Sequence, residues 1–270
     1  MPSESMPTRS TQCRRSQGVR CSWATRRHVT AGVVNPAPAA TATPSKPLLI
    51  CVQEGLCNRI RAVLSYRSAH PNRPLIVAWP ANEFCDGPFL DFFQPLPGVQ
   101  FAFEPEDLPS GMQLQKEHMV FEAHPDIKGT DAEIAMYAAL KPLKGIAAEI
   151  ERRKPSAATY VAAHIRRTDH WTAGITEEQQ TSDASFESFF DRHASSDGLY
   201  LATDNSETQR HLARRFRSSS RPLYHKPIAP SAELRQTKVR DAVVDLYVCA
   251  SARVFKGSYG SSFSDTIVHL

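Results

Sequence analysis

The chain has 270 residues, of which 41% are hydrophobic and 22% charged, a composition typical of a globular protein with one large or two small domains. Seven basic residues against Glu4 give residues 1–46 a net charge of +6, so the total of +4 leaves −2 for residues 47–270. The main part of the chain therefore does not carry the positive charge typical of a nucleic-acid-binding protein, and we expect no nucleic-acid partner. No run approaches the roughly 18 apolar residues of a membrane-spanning helix, so no membrane span is expected.

Residues 1–46 are rich in Ser, Thr, Arg, Ala and Pro and have no amphipathic period. We predict a tail that is disordered or directs targeting, because an Arg-rich and acid-poor start is also typical of a transit peptide. A misassigned start is a third alternative. The tail lacks the apolar segment of a secretory signal, and the compartment stays open.

The six cysteines form no CxxC pair and no zinc-like cluster, so we predict no metal site. Cys51 and Cys249 stand in apolar surroundings, which favours buried free thiols. Disulfides remain an alternative, but the spacing requires none, and this favours a reducing compartment.

From residue 47 the chain alternates between strands and helices. Residues 47–52 form an apolar run that predicts a buried parallel strand, and Gly55 precedes an amphipathic helix at 58–70. Further strands are predicted at 74–79 and 99–103, an irregular region at 105–135, and one or two helices at 132–153, interrupted near Pro142.

A second series of alternating elements begins near residue 157. The predicted strands are 159–165, 198–203, 223–225 and 254–256, and the predicted helices are 185–193, 206–216, 239–252 and 262–270. This alternation predicts parallel α/β layers in two units, 47–153 and 154–270, with 149–156 as the boundary.

The segment His164-Ile165-Arg166-Arg167-Thr168-Asp169 directly follows a predicted buried strand. Ligands of open α/β sheets bind beyond the carboxyl ends of the strands, and an arginine can hold phosphate oxygens in a bidentate way. Asp169 can hold one of the arginines in place. The alternative is a cluster of surface ion pairs.

The segment Glu54-Gly55-Leu56-Cys57-Asn58-Arg59 joins the first predicted strand to its helix. Gly55 allows a ligand to approach the backbone closely, and the start of a helix favours an anion. The segment is not a GxGxxG fingerprint, and its alternative is a tight turn with Asn58 as the helix cap.

Two further polar segments follow predicted strands. Asp204 either accepts hydrogen bonds from a base or ribose or caps the next helix. Residues 257–264 are small and offer hydroxyls and backbone N–H groups to a phosphate, or else provide a serine N-cap.

Taken in order, these segments resemble the inverting, GDP-fucose-dependent fucosyltransferases, a superfamily that includes the α1,6-, α1,2- and protein O-fucosyltransferases. The matching segments are 55–61 for the GxGNR loop, 164–169 for the HxRRTD loop, 200–204 for the FLATD strand, and Asp245 with Ser261 and Ser262 for the C-terminal Asp…Ser-Ser segment. The resemblance spans about residues 48–270. It implies an α/β fold of the GT-B-like type, with two Rossmann-type units facing a cleft.

The resemblance also implies a set of functional residues. The second unit would bind most of the donor, GDP-fucose, and Arg166 would contact its β-phosphate, with no metal ion or cofactor needed. The implied donor-binding residues are Asn58, Arg59, His164, Arg166, Arg167, Asp204, Asp245, Ser261 and Ser262. Arg166 and Asp169 are the catalytic candidates, Glu177 and Glu178 are alternatives to Asp169 as the base, and a glycan or protein hydroxyl would be the acceptor.

Three departures from the family pattern keep other functions open. Cys57 stands where the family loop usually has a glycine, His170 replaces a lysine, and Gly174 stands where the α1,6 enzymes have a candidate carboxylate base. One alternative is the same fold with a different nucleotide-sugar donor. Another is a protein that binds a nucleotide sugar or a glycan without catalysis.

Overall fold

The computed structural model describes residues 45–168, 181–217, 222–229 and 237–270, so all but the end of the predicted tail lies outside the described residues. The first series of elements is β1 Leu48–Val52, α1 Leu56–Ala69, β2 Leu75–Ala78, β3 Val99–Ala102, β4 Met119–Val120, α2 Asp131–Met136 and α3 Lys144–Arg153. The second is β5 Tyr160–Ile165, α4 Asp183–Asp191, β6 Gly198–Thr203, α5 Ser206–Arg215, β7 Leu223–Tyr224, α6 Val239–Ala250, β8 Val254–Lys256 and α7 Ser262–His269. Within these ranges no helix has both the length and the apolar character needed to cross a membrane.

The strands form two parallel four-stranded sheets. Their orders are β3-β2-β1-β4 and β7-β6-β5-β8, so β1 and β5 are central strands. Every residue of β5 is buried, as expected for a central parallel strand that is covered on both faces. The predicted α/β fold with two parallel sheets is confirmed.

Among the residues that the structure describes, one strand was not predicted, and it lies in the region predicted to be irregular. The two residues of β4 pair with Cys51 and Val52 at the edge of the first sheet. A strand this short has too few residues for an alternating pattern, and only its pairing with β1 defines it. The predicted interruption near Pro142 is confirmed, because α2 continues into a short 3₁₀ turn at Tyr137–Ala139 and α3 begins at Lys144.

The helices pack so that the two sheets share one hydrophobic core. Its buried members include Val77 of the first sheet and Tyr200 of the second, and α3 packs against α6 while α7 packs against α1. A second cluster covers the other face of the second sheet and includes Val161 of β5 and Phe186 of α4. Because α3 contacts the second series of elements, the division of the chain at residue 153 stays a prediction.

No cysteine in the described part of the chain forms a disulfide. Cys51 and Cys249 are both buried, as predicted. Burial raises the pKa of the Cys249 thiol well above its ordinary value, because the thiolate would be charged in an apolar environment.

Candidate functional site

Three strands of the second sheet end next to one another. Ile165 of β5 pairs with Thr203 of β6, and Ala163 pairs with Lys256 of β8. The carboxyl ends of these strands therefore lead into three polar segments at one edge of the sheet. This edge is where open α/β sheets bind their ligands.

Ser258 joins the segment after β8 to the segment after β5. Its Oγ accepts a hydrogen bond of 3.0 Å from the backbone N–H of Arg166 and donates one of 3.2 Å to the carbonyl of His164. The side chain is 4% exposed, so these bonds are shielded from water. Ser258 thus fixes the backbone on both sides of Ile165, where the arginine pair begins.

Asp204 fixes the next two residues of the same loop. Its carboxylate accepts hydrogen bonds of 2.8 Å from the backbone N–H of Arg167 and from the hydroxyl of Thr168. It does not cap α5, because Asn205 accepts the capping bond from the N–H of Thr208 at 2.8 Å. The helix-cap interpretation of Asp204 is therefore wrong by one residue.

His164 lies just inside the same edge. Its ring is nearly buried at 6% exposure, and its Nδ1 is 2.9 Å from the Oγ of Ser264. The ring centroid lies 4.5 Å from that of Phe263. The start of α7 therefore sets the position of the His164 ring.

The side chain of Arg167 points to the start of α4. Its Nη2 donates to the Asp183 carboxylate at 2.5 Å and to the Thr181 carbonyl at 3.0 Å, and its guanidinium lies 5.8 Å from the Phe186 ring centroid. The ion-pair interpretation thus applies to this arginine. Its predicted contact with the nucleotide is not tested by this geometry and stays a prediction.

The two adjacent serines start α7. Ser261 is fully buried and is the N-cap of the helix, accepting from the N–H of Ser264 at 3.5 Å. Ser262 is the first helical residue and is half-buried. Both lie within one turn of Ser264, and hence near His164, while their predicted donor contacts stay predictions.

Asp245 lies beneath the sheet in the middle of α6. It is 6% exposed and accepts hydrogen bonds from the Tyr200 hydroxyl at 2.6 Å and from Nη1 of Arg153 at 3.2 Å. Burial raises the pKa of Asp245 to about 6, although both partners favour the carboxylate. These contacts tie α6 to β6 and α3, and the predicted donor contact stays a prediction.

Arg59 is a buried cation in the first turn of α1. It is fully buried, and its guanidinium donates to the carbonyls of Glu54 at 2.5 Å, Pro80 at 2.8 Å and Gln53 at 3.2 Å. The guanidinium also lies 5.1 Å from the ring centroid of Trp79. These bonds hold the loop before α1 against the end of β2, and the predicted donor contact of Arg59 stays a prediction.

Asn58 lies in the first turn of α1. It does not cap α1, whose N-cap is Gly55, and its Oδ1 accepts from Nη2 of Arg61 at 3.0 Å. Burial raises the pKa of Asp265 on α7, and the positive charge of Arg61 opposes this shift. Asn58 is thus one helical turn from the α1–α7 contact, and its approach to a donor stays a prediction.

The sequence analysis did not single out Ser258 and Ser264, although it marked the segment that contains them. Their signal is a run of serines directly after a strand and before a helix. Asp169, Glu177 and Glu178, the candidate bases, lie outside the described residues. Among the residues that are described, no three His, Cys, Asp or Glu side chains are grouped as metal ligands would be.

Comparisons with known proteins show the fold. No protein-family model matches the sequence, and no curated protein matches it. The fold is that of solved fucosyltransferases. The chain is similar to NodZ α-1,6-fucosyltransferase soaked with GDP-fucose, with a TM-score of 0.55 and 17% identity over 83% of this chain and 93% of that one. It is also similar to the fucosyltransferase NodZ from Bradyrhizobium, with a TM-score of 0.52 and 16% identity over 83% of this chain and 92% of that one. A third similar structure is POFUT1 in complex with GDP, with a TM-score of 0.53 and 12% identity over 84% of this chain and 96% of that one.

Proposed function

We propose that this protein transfers fucose from GDP-fucose to a hydroxyl of a glycan or a protein, with inversion at the sugar carbon. One observation carries the proposal. The loop that begins at Arg166 leaves the carboxyl edge of the second sheet, and Ser258 and Asp204 hold its backbone in place. The fold shared with fucosyltransferases solved with GDP-fucose or GDP supports this choice of donor.

The charge at this edge suits a diphosphate. Arg166 brings a permanent positive charge to the loop, and an Arg fork can bind two phosphate oxygens at once. His164 and the start of α7 add polar groups on the neighbouring side. We assign the leaving diphosphate to this edge, with Arg166 as its main cation.

The reaction follows from that placement. The acceptor oxygen attacks C1 of fucose from the side opposite the diphosphate, and the C1–O bond to the phosphate breaks. The bonding electrons leave with GDP, whose growing negative charge Arg166 stabilises, and the acceptor proton passes to a carboxylate base. Asp169 is our candidate for that base. We propose that no metal ion is required, because Arg166 supplies the positive charge that a cation supplies in metal-dependent transferases.

A transfer assay tests the proposal. The purified protein is incubated with GDP-fucose, a panel of glycan and peptide acceptors and EDTA, and the anomeric configuration of the product is read by NMR. We expect an inverted product, and we expect Arg166→Ala to lower the rate by about 10²–10³-fold. The matched control is Arg214→Ala, which removes an exposed arginine from the last turn of α5 and should leave the rate unchanged.

Other outcomes separate the alternatives. Transfer or hydrolysis with a UDP- or ADP-sugar, but not with GDP-fucose, would replace the donor and keep the fold. Binding of GDP-fucose with neither transfer nor hydrolysis across the panel would make the protein a non-catalytic binder. A product that retains the donor's configuration would refute inversion.

A further inference from the structure

Ser264 occupies a position from which it can control the proton of His164. It is the third residue of α7 and is 5% exposed. Its Oγ lies 2.9 Å from Nδ1 of His164 and 3.1 Å from the backbone nitrogen of Ser258. Both contacts are within hydrogen-bonding distance in a region shielded from water.

The direction of these two bonds follows from counting protons. The backbone N–H of Ser258 can only donate, so it occupies a lone pair of the Ser264 oxygen. The hydroxyl of Ser264 has one proton of its own. Among the described residues, its only acceptor within hydrogen-bonding distance is Nδ1 of His164. A buried hydroxyl proton without an acceptor would cost about 1–3 kcal/mol, so the proton points to Nδ1.

This direction determines the tautomer of His164. A neutral imidazole has one N–H and one acceptor nitrogen, so an Nδ1 that accepts a proton leaves the N–H on Nε2. The ring cannot easily turn away, because it lies against Phe263, and Ser258 holds the carbonyl of the same residue.

We propose that Ser264 is a positioning residue that holds neutral His164 with its proton on Nε2, so that the ring donates a hydrogen bond to a phosphate oxygen of the donor. The inference rests on the proposed function for its ligand and on the hydrogen bonds above for the tautomer. The neutral N–H of His164 would thus bind the phosphate alongside the Arg166 guanidinium without placing a second positive charge in a buried position.

Gly257 provides the space that this arrangement needs. A Cβ atom at this position would lie 2.6 Å from Cβ of Ser264 and 2.7 Å from its Oγ. Such contacts are closer than side chains allow, so Gly257→Ala must displace Ser264 from His164. This variant therefore tests the same hydrogen bond without changing either partner.

The tautomer can be read directly in the protein without ligand. Long-range ¹H–¹⁵N spectra distinguish a protonated from an unprotonated ring nitrogen, and the signals of His164 are assigned by their loss in His164→Gln. We expect a protonated Nε2 and an unprotonated Nδ1 in the wild type, and a mixture of tautomers in Ser264→Ala and Gly257→Ala. A proton on Nδ1 in the wild type would overturn the proposal, and this spectrum decides the matter even if a variant does not fold.

GDP titrations test the consequence for binding. We expect Ser264→Ala to raise the Kd for GDP about tenfold, the loss of roughly one oriented hydrogen bond. His164→Gln, whose amide N–H lies near the place of Nε2, should bind better than His164→Asn. The control is Ser251→Ala, which removes an exposed hydroxyl bonded to the Tyr247 carbonyl and should change neither readout.

The two measurements distinguish a failure of the proposed function from a failure of the positioning role. If the wild type shows the expected tautomer but binds no GDP, the proposed function is wrong and the role of Ser264 in setting the tautomer stands. If GDP binds and Ser264→Ala changes neither the tautomer nor the Kd, the positioning role is wrong and the proposed function stands.

Discussion

The backbone N–H of Arg166 donates a 3.0 Å hydrogen bond to the side-chain oxygen of Ser258, 92 residues further along the chain. The two residues follow different strands of one sheet, and the bond joins the arginine loop to the segment before α7. The position of the main cation of the candidate site therefore depends on a residue far away in sequence.

Replacing Ser258 by Ala should loosen the arginine loop. The change removes the acceptor of the Arg166 N–H and the donor to the His164 carbonyl, both of them in a buried place. We expect the free energy of unfolding to fall by about 1–3 kcal/mol and the Kd for GDP to rise several-fold. Urea unfolding and calorimetric titration measure the two effects. An unchanged Kd would show that the bond does not position the donor site.

Replacing Asp204 by Asn should affect the same loop from the other side. The Asn side chain has one acceptor oxygen where Asp204 has two. Either the N–H of Arg167 or the hydroxyl of Thr168 therefore loses its acceptor. We expect a loss of about 1–3 kcal/mol in stability together with weaker GDP binding.

Asn205→Ala is the control for the Asp204 variant. It removes the cap of α5 and should cost about 1 kcal/mol in stability, with GDP binding unchanged. Equal effects of the two variants on GDP affinity would contradict a specific role for Asp204.

Replacing Arg59 by Lys separates a structural role from a ligand contact. A lysine cannot reach all three carbonyls that the guanidinium serves, and its charge would stay buried. We expect a loss of about 3–5 kcal/mol in stability, as for breaking a buried charged network, with little change in the Kd for GDP of the folded fraction. Arg67→Lys is the control, because Arg67 also donates to three carbonyls but is only half-buried. We expect this variant to lose less stability than Arg59→Lys. A large rise in Kd with stability unchanged would support the donor contact that the family resemblance implies.

Asp245 should make stability depend on pH between about 4 and 6. Its folded pKa is raised to about 6 from an ordinary value of 3.8, so the folded chain binds the proton more tightly than the unfolded chain. The contribution of Asp245 to the free energy of unfolding is therefore largest below pH 4, and it falls as the pH rises to 6. The fall amounts to about 3 kcal/mol. Unfolding midpoints of the wild type and Asp245→Asn across this range measure it, and parallel curves would show that the pKa of Asp245 is not raised.

The parts of the fold that the sequence predicts are those with a local signal. The apolar runs at 47–52 and 159–165 identify the central strands, and the polar residues that follow them identify the edge of the candidate site. The strand β4 has no such signal, since its pairing alone defines it. The sequence marks the edge of the sheet but not which side chains face it.

The roles of single residues at the site depend on contacts between distant segments. In the sequence, Arg166 and Arg167 form a single motif, yet in the structure the Arg167 guanidinium donates to the carboxylate of Asp183 at the start of α4. Arg59 resembles a loop residue that contacts the donor, yet three carbonyls surround it in the folded chain. Only the packing of the segments against each other shows these partners.

The thermal shift of the protein with GDP tests the central claim most directly. A ligand at a hundredfold excess over its Kd stabilises the folded state by about 2.7 kcal/mol, which raises the melting temperature by several degrees. We predict such a shift with millimolar GDP or GDP-fucose for the wild type and Arg214→Ala, and none for Arg166→Ala. No shift in the wild type, or an equal shift in Arg166→Ala, would contradict the account of this edge as a GDP-sugar site.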